Sequence, residues 1–165
     1  MTLSEMSGAT FSADRVYRRQ LWRRWDDALP WLLLIGCNPS KAGAVESDPT
    51  VTRQITRAKL LGCGGLLVCN AYDLVSTDPR LLKTHPAPLS PENDDAILDA
   101  VDKTMKSQGT VIAAWGGNVT PGRHNQLLRL LAHVPLTALG VNFDGSPSHP
   151  LYISYSVKPE PYGQR

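Results

Sequence analysis

Trp31-Leu32-Leu33-Leu34-Ile35-Gly36-Cys37-Asn38-Pro39-Ser40 decides how the chain is read: an apolar run stops at a glycine and then turns at Asn-Pro. An unbroken run of large apolar residues suits a strand buried on both faces, as in a parallel sheet. Pro39 fixes its own φ, and Gly36 lets backbone come close to whatever lies beside it, so the strand has to turn sharply. Ligands in open α/β sheets collect beyond the carboxyl ends of the strands. This exit is therefore either a site or an ordinary turn into a helix.

Later segments repeat the theme. Asp48-Pro49 offers an N-cap with proline at the first helical position, and Val51, Ile55, Ala58 and Leu61 come after it at helical spacing, which predicts a helix over about 49–61. Gly65–Asn70 reads as a second buried strand. The proline-rich stretch through Pro91 reads as a long ordered loop, a common place for function. Ser90-Pro91 repeats the cap-plus-proline start, with Ile97, Leu98, Val101 and Met105 as the buried stripe of a helix ending near Ser107. Thr110–Trp115 is a third strand, Arg123–His133 a helix and Leu136–Leu139 a fourth strand. This alternation predicts an α/β fold of three layers, α/β/α, around a central four-stranded, mainly parallel sheet. Residues 1–13 are small and polar and are expected to be mobile, leaving 14–165 as a single domain. Arg15–Trp25 is expected to add an N-terminal edge strand or hairpin.

Composition sets bounds. The chain has 165 residues, 42% hydrophobic and 19% charged, ordinary for one globular core. A net charge of +2 neither demands nor excludes a polyanionic partner. Cys37, Cys63 and Cys69 have no metal-ligand spacing and suit reduced thiols packed as small hydrophobes. No metal or cofactor is implied. No stretch is long and apolar enough to span a bilayer and no charged-then-apolar leader opens the chain, so a cytoplasmic location is expected.

Compared side by side, the strand exits carry Asn38, Asn70, Trp115-Gly116-Gly117-Asn118 and Asp144 through His149. In this order, Gly36-Cys37-Asn38-Pro39-Ser40, Leu67-Val68-Cys69-Asn70, Ala114-Trp115-Gly116 and His149-Pro150-Leu151 resemble the uracil-DNA glycosylase superfamily. That superfamily carries G-Q-D-P-Y-H or G-I-N-P-G, L-L-L-N, L-W-G and H-P-S-P at these places. The chain is more closely similar to a bacterial and phage family, domain of unknown function 1643. Cys37-Asn38-Pro39-Ser40, Ser47-Asp48-Pro49-Thr50, Trp115-Gly116 and Asp144-Gly145-Ser146-Pro147-Ser148-His149-Pro150-Leu151-Tyr152 carry that similarity.

The glycosylase resemblance implies a glycosylase-like fold and a base-binding pocket formed by Gly36, Pro39, Ser40, Asn70 and Trp115; its motifs do not locate the aromatic that stacks the base, for which Tyr72, two residues past Asn70, is the candidate. It implies that His149 stabilises the leaving base and that Asn70 reads a flipped base through its amide. On the residues alone, His149 is equally a turn histidine and Asn70 a strand-end cap. Asn38 stands where the uracil-specific branch has Asp, so it can orient water but not accept a proton. Asp48 and Asp144 are possible helpers, or simply a helix N-cap and a turn residue. Ser40 replaces a bulky Tyr and leaves room for a 5-substituent on a pyrimidine.

Arg18, Arg19, Arg23, Arg24 and Lys41 are the candidates for nucleic-acid backbone contact, DNA more than RNA, although a solvated edge strand explains the arginines as well. The function expected is a DNA glycosylase-like one, binding and excising a modified or mismatched pyrimidine. The alternatives are a catalytically silent reader of modified bases, an enzyme acting on a free nucleotide or nucleoside, and a purely structural interaction domain.

Overall fold

The computed structural model describes residues 6–163 and turns the apolar run into β3 (Trp31–Gly36), deep inside a sheet. The other strands are β1 (Ser7–Phe11), β2 (Arg18–Arg24), β4 (Gly65–Asn70), β5 (Thr110–Ala113), β6 (Leu136–Ala138) and β7 (Glu160–Pro161). The helices are α1 (Pro49–Leu60), the single-turn α2 (Leu81–Thr84), α3 (Asn93–Lys106) and α4 (Pro121–Leu130). Among the described residues the strands form one seven-stranded sheet in the order β1-β2-β4-β3-β5-β6-β7. The β4-β3, β3-β5 and β5-β6 pairs are parallel, and the β1-β2, β2-β4 and β6-β7 pairs are antiparallel.

The sheet is thus wider than the four strands expected from sequence. Ser7–Phe11, expected to be mobile, is the edge strand β1, while residues 1–5 of that segment lie outside the described residues. β2 is not an edge, because β1 and β4 pair with it on either side.

Alternation along the buried strands feeds two cores. Leu33, Ile35, Leu67, Cys69, Val111 and Ala113 pack with Ile97, Ala100 and Val101 of α3 and Leu127 of α4. Leu32, Leu34, Leu66, Val68, Ile112 and Ala114 pack with Val51 and Ala58 of α1. Helices therefore cover both faces. Asp48 caps α1 by accepting from the Val51 N–H at 2.9 Å, with Pro49 next to it. Ser90 does not cap α3 with its side chain; its hydroxyl donates to the buried carboxylate of Asp73. Thr120, followed by Pro121, caps α4, so this helix starts before the Arg123 expected from sequence. Among the described residues no helix is long and apolar enough to cross a membrane.

One irregularity in the hairpin decides which face receives a charge. Thr10 pairs with Gln20 but Phe11 pairs with Arg18, which leaves Arg19 as an extra residue in β2. Such a bulge reverses the alternation beyond it and re-aims a side chain. Gln20 and Arg19 both reach toward α3, to the Ala96 carbonyl and to Ser90 and Glu92. Arg18 turns to the α1 side instead and donates to the Ala42 carbonyl at 2.8 Å.

Candidate functional site

The exits of β3, β4 and β6 close around a cavity of about 650 Å³ on the α1 side of the sheet. Gly36, Asn38, Ser40, Asp48, Asn70 and His149, all singled out in the sequence, line it. Each is held by a local cause.

Asn38 is fixed by its amide group. Nδ2 donates to the Ser76 carbonyl at 2.8 Å and the Pro39 carbonyl at 3.2 Å, so the side-chain oxygen is the atom left for a ligand or water. Ser76 belongs to the long loop after β4, which contributes Thr77 and Pro79 to the same wall. That loop is tied down where Asp73, fully buried, accepts from the Ser90 N–H at 2.8 Å, and where the Ser76 N–H reaches the Pro39 carbonyl at 2.9 Å. Ser40 donates its hydroxyl to Asp48, so the only carboxylate lining the cavity among the described residues is engaged by the start of α1 and by Ser40 together.

His149 comes from a loop bolted to α1. Arg53 and Arg57 both donate to the Ile153 carbonyl, at 2.7 and 2.8 Å, and Arg53 lies over the Tyr155 ring at 4.4 Å. On the opposite side the Gly116 N–H donates to the Pro147 carbonyl at 2.9 Å, with Gly116 at φ +71° directly beneath the His149 Cβ. His149 is exposed overall, but its ring lies against the cavity wall and desolvation there lowers its pKa below the ordinary 6.5. The Leu151 N–H donates to Nδ1 at 3.3 Å, so the neutral ring carries its proton on Nε2.

The floor is built from buried donors. Asn70 is 4% exposed, and its Nδ2 has no acceptor. Gln54 is fully buried; its Oε1 accepts from Arg57 Nε at 3.1 Å, which leaves Nε2 unpartnered. Arg18 is 3% exposed with Nε unpartnered, and burial pulls its pKa down to about 10 against the opposing pull of Asp48, so it remains a cation at neutral pH.

Gly36 is matched to Asn70. A Cβ at position 36 would lie 2.8 Å from Asn70 Oδ1, so Gly36→Ala is expected to displace the amide and to cost about 1–3 kcal/mol through overpacking. Denaturant melts of the variant measure this; an unchanged midpoint would show that Asn70 has room to move.

Other residues singled out in the sequence lie elsewhere. Trp115 is fully buried on the α3/α4 side, its Nε1 donating to His124 Nδ1 at 3.1 Å. Tyr72 is buried on that side too, and its hydroxyl donates to Thr120 Oγ1 at 3.3 Å and accepts from the Thr120 N–H at 3.1 Å. Neither lines the cavity. Pro39 is buried next to it, offering only its carbonyl. Asp144 is exposed in a turn, where hydrogen bonds from the Ser146 hydroxyl and N–H lower its pKa.

The basic segment is largely engaged internally. Arg19 pairs with Glu92 at 3.2 Å and lies 3.6 Å from Asp73. Arg23 is buried and donates to the Gly43, Ala44 and Glu46 carbonyls at 2.9 to 3.1 Å. Arg24 lies over the Trp31 ring at 4.2 Å. Lys41 is exposed. The cysteines are free and buried, and burial raises the Cys37 thiol to about 11 and Cys69 to about 12, which keeps them protonated at neutral pH.

Sequence reading missed Gln54, Ser76 and Tyr152 as cavity residues and gave Arg18 a different role. Gln54 follows Val51 by one helical step and precedes Ala58 by another, so its place on the buried stripe was legible. Tyr152, 92% exposed at the mouth, closes the Asp144–Tyr152 motif.

No curated protein and no solved structure matches the chain. The family model described as a protein of unknown function, DUF1643, matches residues 18–151. That match runs from Arg18 in the cavity floor to Leu151 in its outer wall and takes in every strand exit between them, and the chain belongs to this DUF1643 family.

Proposed function

We propose that the cavity takes a pyrimidine-like base presented by nucleic acid and that the site hydrolyses its N-glycosidic bond, in the manner of the glycosylase superfamily the strand-exit motifs resemble. The observation that carries this reading is that Asn38, Asn70 and His149, from three separate strand exits, line one cavity. Hydrolysis leaves positive charge developing on the sugar and negative charge on the departing base. His149 Nε2–H is the donor for the base oxygen, and Asn38 Oδ1 is the acceptor that orients water. The water oxygen bonds to the sugar carbon, and its proton ends on the released base. Asn70 reads the base edge, Tyr152 offers a stacking face at the mouth, and Ser40 leaves space for a 5-substituent.

An oligonucleotide panel carrying uracil, thymine mismatches and 5-substituted pyrimidines tests this. At least one base is expected to give abasic product. If every base survives while one modified duplex binds tightly, the protein is a silent reader.

Protonation of His149 would put a second proton on Nδ1, which accepts from the Leu151 N–H, so the charged ring loses the bond that aims Nε2–H at the cavity, and this sets the pH dependence. Its folded pKa lies below 6.5, so base release is expected to be level above 6.5 and to fall on acidification with a midpoint below that value. The unfolded chain binds this proton more readily, so the same group's contribution to stability is complete above 6.5 and is lost as pH falls through the folded value. Single-turnover rates across pH measure the first effect; a midpoint above 6.5 would assign it to another group.

A second reading is favoured by one observation. Arg18, Arg19, Arg23 and Arg24 have internal partners, so they leave little basic surface for a duplex backbone. An enzyme acting on a free nucleotide or nucleoside needs the same cavity without that surface. Weak, salt-insensitive oligonucleotide binding alongside turnover of a nucleoside would select it.

A further inference from the structure

The cavity floor contains hydrogen-bond donors without acceptors. Arg18 Nε, Gln54 Nε2 and Asn70 Nδ2 are all buried and unpartnered, and all three residues line the same cavity. A buried donor left unmade costs about 1–3 kcal/mol, more when charged. Concentrating three at one place is hard to reconcile with a purely structural role. Each also has a reason to point where it does. The bulge at Arg19 turns Arg18 to this side, Arg57 holds the Gln54 oxygen and so presents its NH2 group, and Gly36 provides the space for Asn70.

The set has one chemical character. Arg18 has no carboxylate within ion-pair distance among the described residues, and the lone lining carboxylate, Asp48, is engaged by Ser40 and the start of α1. A ligand group that satisfies a guanidinium and two amide NH2 groups together must be rich in acceptors and negatively charged. We infer that the cavity floor is an oxyanion site, and that the ligand is a pyrimidine base or nucleotide carrying a carboxylate or phosphate that reaches Arg18, Gln54 and Asn70. The pyrimidine portion rests on the proposed function; the oxyanion portion does not depend on base release.

Titration calorimetry of the full chain at neutral pH and fixed ionic strength tests it, with uracil and uridine as neutral probes. The anionic probes are uracil-5-carboxylate, uracil-6-carboxylate, uridine 5′-monophosphate and inorganic phosphate. At least one anionic probe is expected to bind about tenfold or more tightly than its neutral parent, the scale of one charge-assisted hydrogen bond. Which anion wins tells whether the charge sits on the ring or on the phosphate.

Arg18→Met should erase the preference. Gln54→Glu keeps the oxygen that Arg57 needs and replaces the unpartnered donor with a negative oxygen in the cavity that Arg18 also lines. It should abolish anion binding while leaving the melting temperature unchanged or higher, which a merely structural role does not predict. Equal affinity for neutral and anionic probes, no anion binding at all, or anion binding that survives Gln54→Glu would each overturn the inference. Anion binding with this dependence but no abasic product from any oligonucleotide would reject hydrolysis and leave the oxyanion site standing.

Discussion

His149→Ala is expected to slow base release by about a hundredfold or more, the usual scale for losing a donor to a developing anion, with much less effect on oligonucleotide binding. The size comes from geometry and tautomer together. Nδ1 is occupied by the Leu151 N–H, so Nε2–H is the donor left to face the cavity, and desolvation keeps the ring neutral at neutral pH. A neutral donor gains most when charge appears on its acceptor, which happens in the transition state and not in the bound substrate. Single-turnover rates and equilibrium binding, measured on whichever base the panel identifies, separate the two effects. Equal loss in both would make His149 a binding group. An unchanged rate would remove it from the chemistry.

Arg23→Ala is expected to cost about 3 kcal/mol or more of stability, although arginine on a strand next to other arginines looks like a surface residue. Its guanidinium donates to the carbonyls of Gly43, Ala44 and Glu46, and to the Trp22 carbonyl at 2.9 Å, so one side chain fastens the turn that leads into Asp48 and α1. Truncation leaves those carbonyls short of donors in a buried to half-buried setting, where hydrogen bonds to a charged partner contribute about 1.5–3 kcal/mol each. The denaturant midpoint measures it. A phosphate-contact role predicts the reverse pattern, with stability kept and the salt slope of DNA binding reduced.

The buried strands and the helices α1 and α3 were legible because their signals are local: apolar runs for the strands, a buried stripe at helical spacing for both helices, and the Asp-Pro start for α1. β1 and β7 were not. Both are short: β1 lies in a small, polar segment without an apolar run and is held by pairing with β2, and β7 is held by β6, from which a long stretch of chain separates it. Asn38, Asn70 and His149 could be picked out because each lies at the end of a separate strand or in the loop that follows one, and these parallel strands end at one edge. Trp115 and Tyr72 fell on the other side of the sheet for a reason that sequence hides. Both faces of these strands are apolar, so alternation shows that Val111, Ala113 and Trp115 share a face without showing which helices cover it. The buried arginines of β2, Arg18 and Arg23, escaped because backbone carbonyls converge on their guanidiniums, and the 42–46 turn that supplies these is distant in sequence.

Arg18 and Arg19 are the same amino acid side by side, yet one faces the cavity and the other faces Asp73 and Glu92. Strand length, not side-chain chemistry, tells them apart. Deleting Arg19 would leave Arg18 next to Gln20 and on the opposite face from it, so the cavity would keep its cation while Asp73 lost a neighbour. One residue added to β1 between Thr10 and Phe11 would instead give Arg19 a partner and restore plain alternation, sending Arg18 to the α3 side and Arg19 to the α1 side. The gain of a single codon in the edge strand would thus exchange the roles of two identical residues in its neighbour. Natural variation in hairpin length is therefore a route by which positive charge can be redistributed across the sheet with every arginine retained.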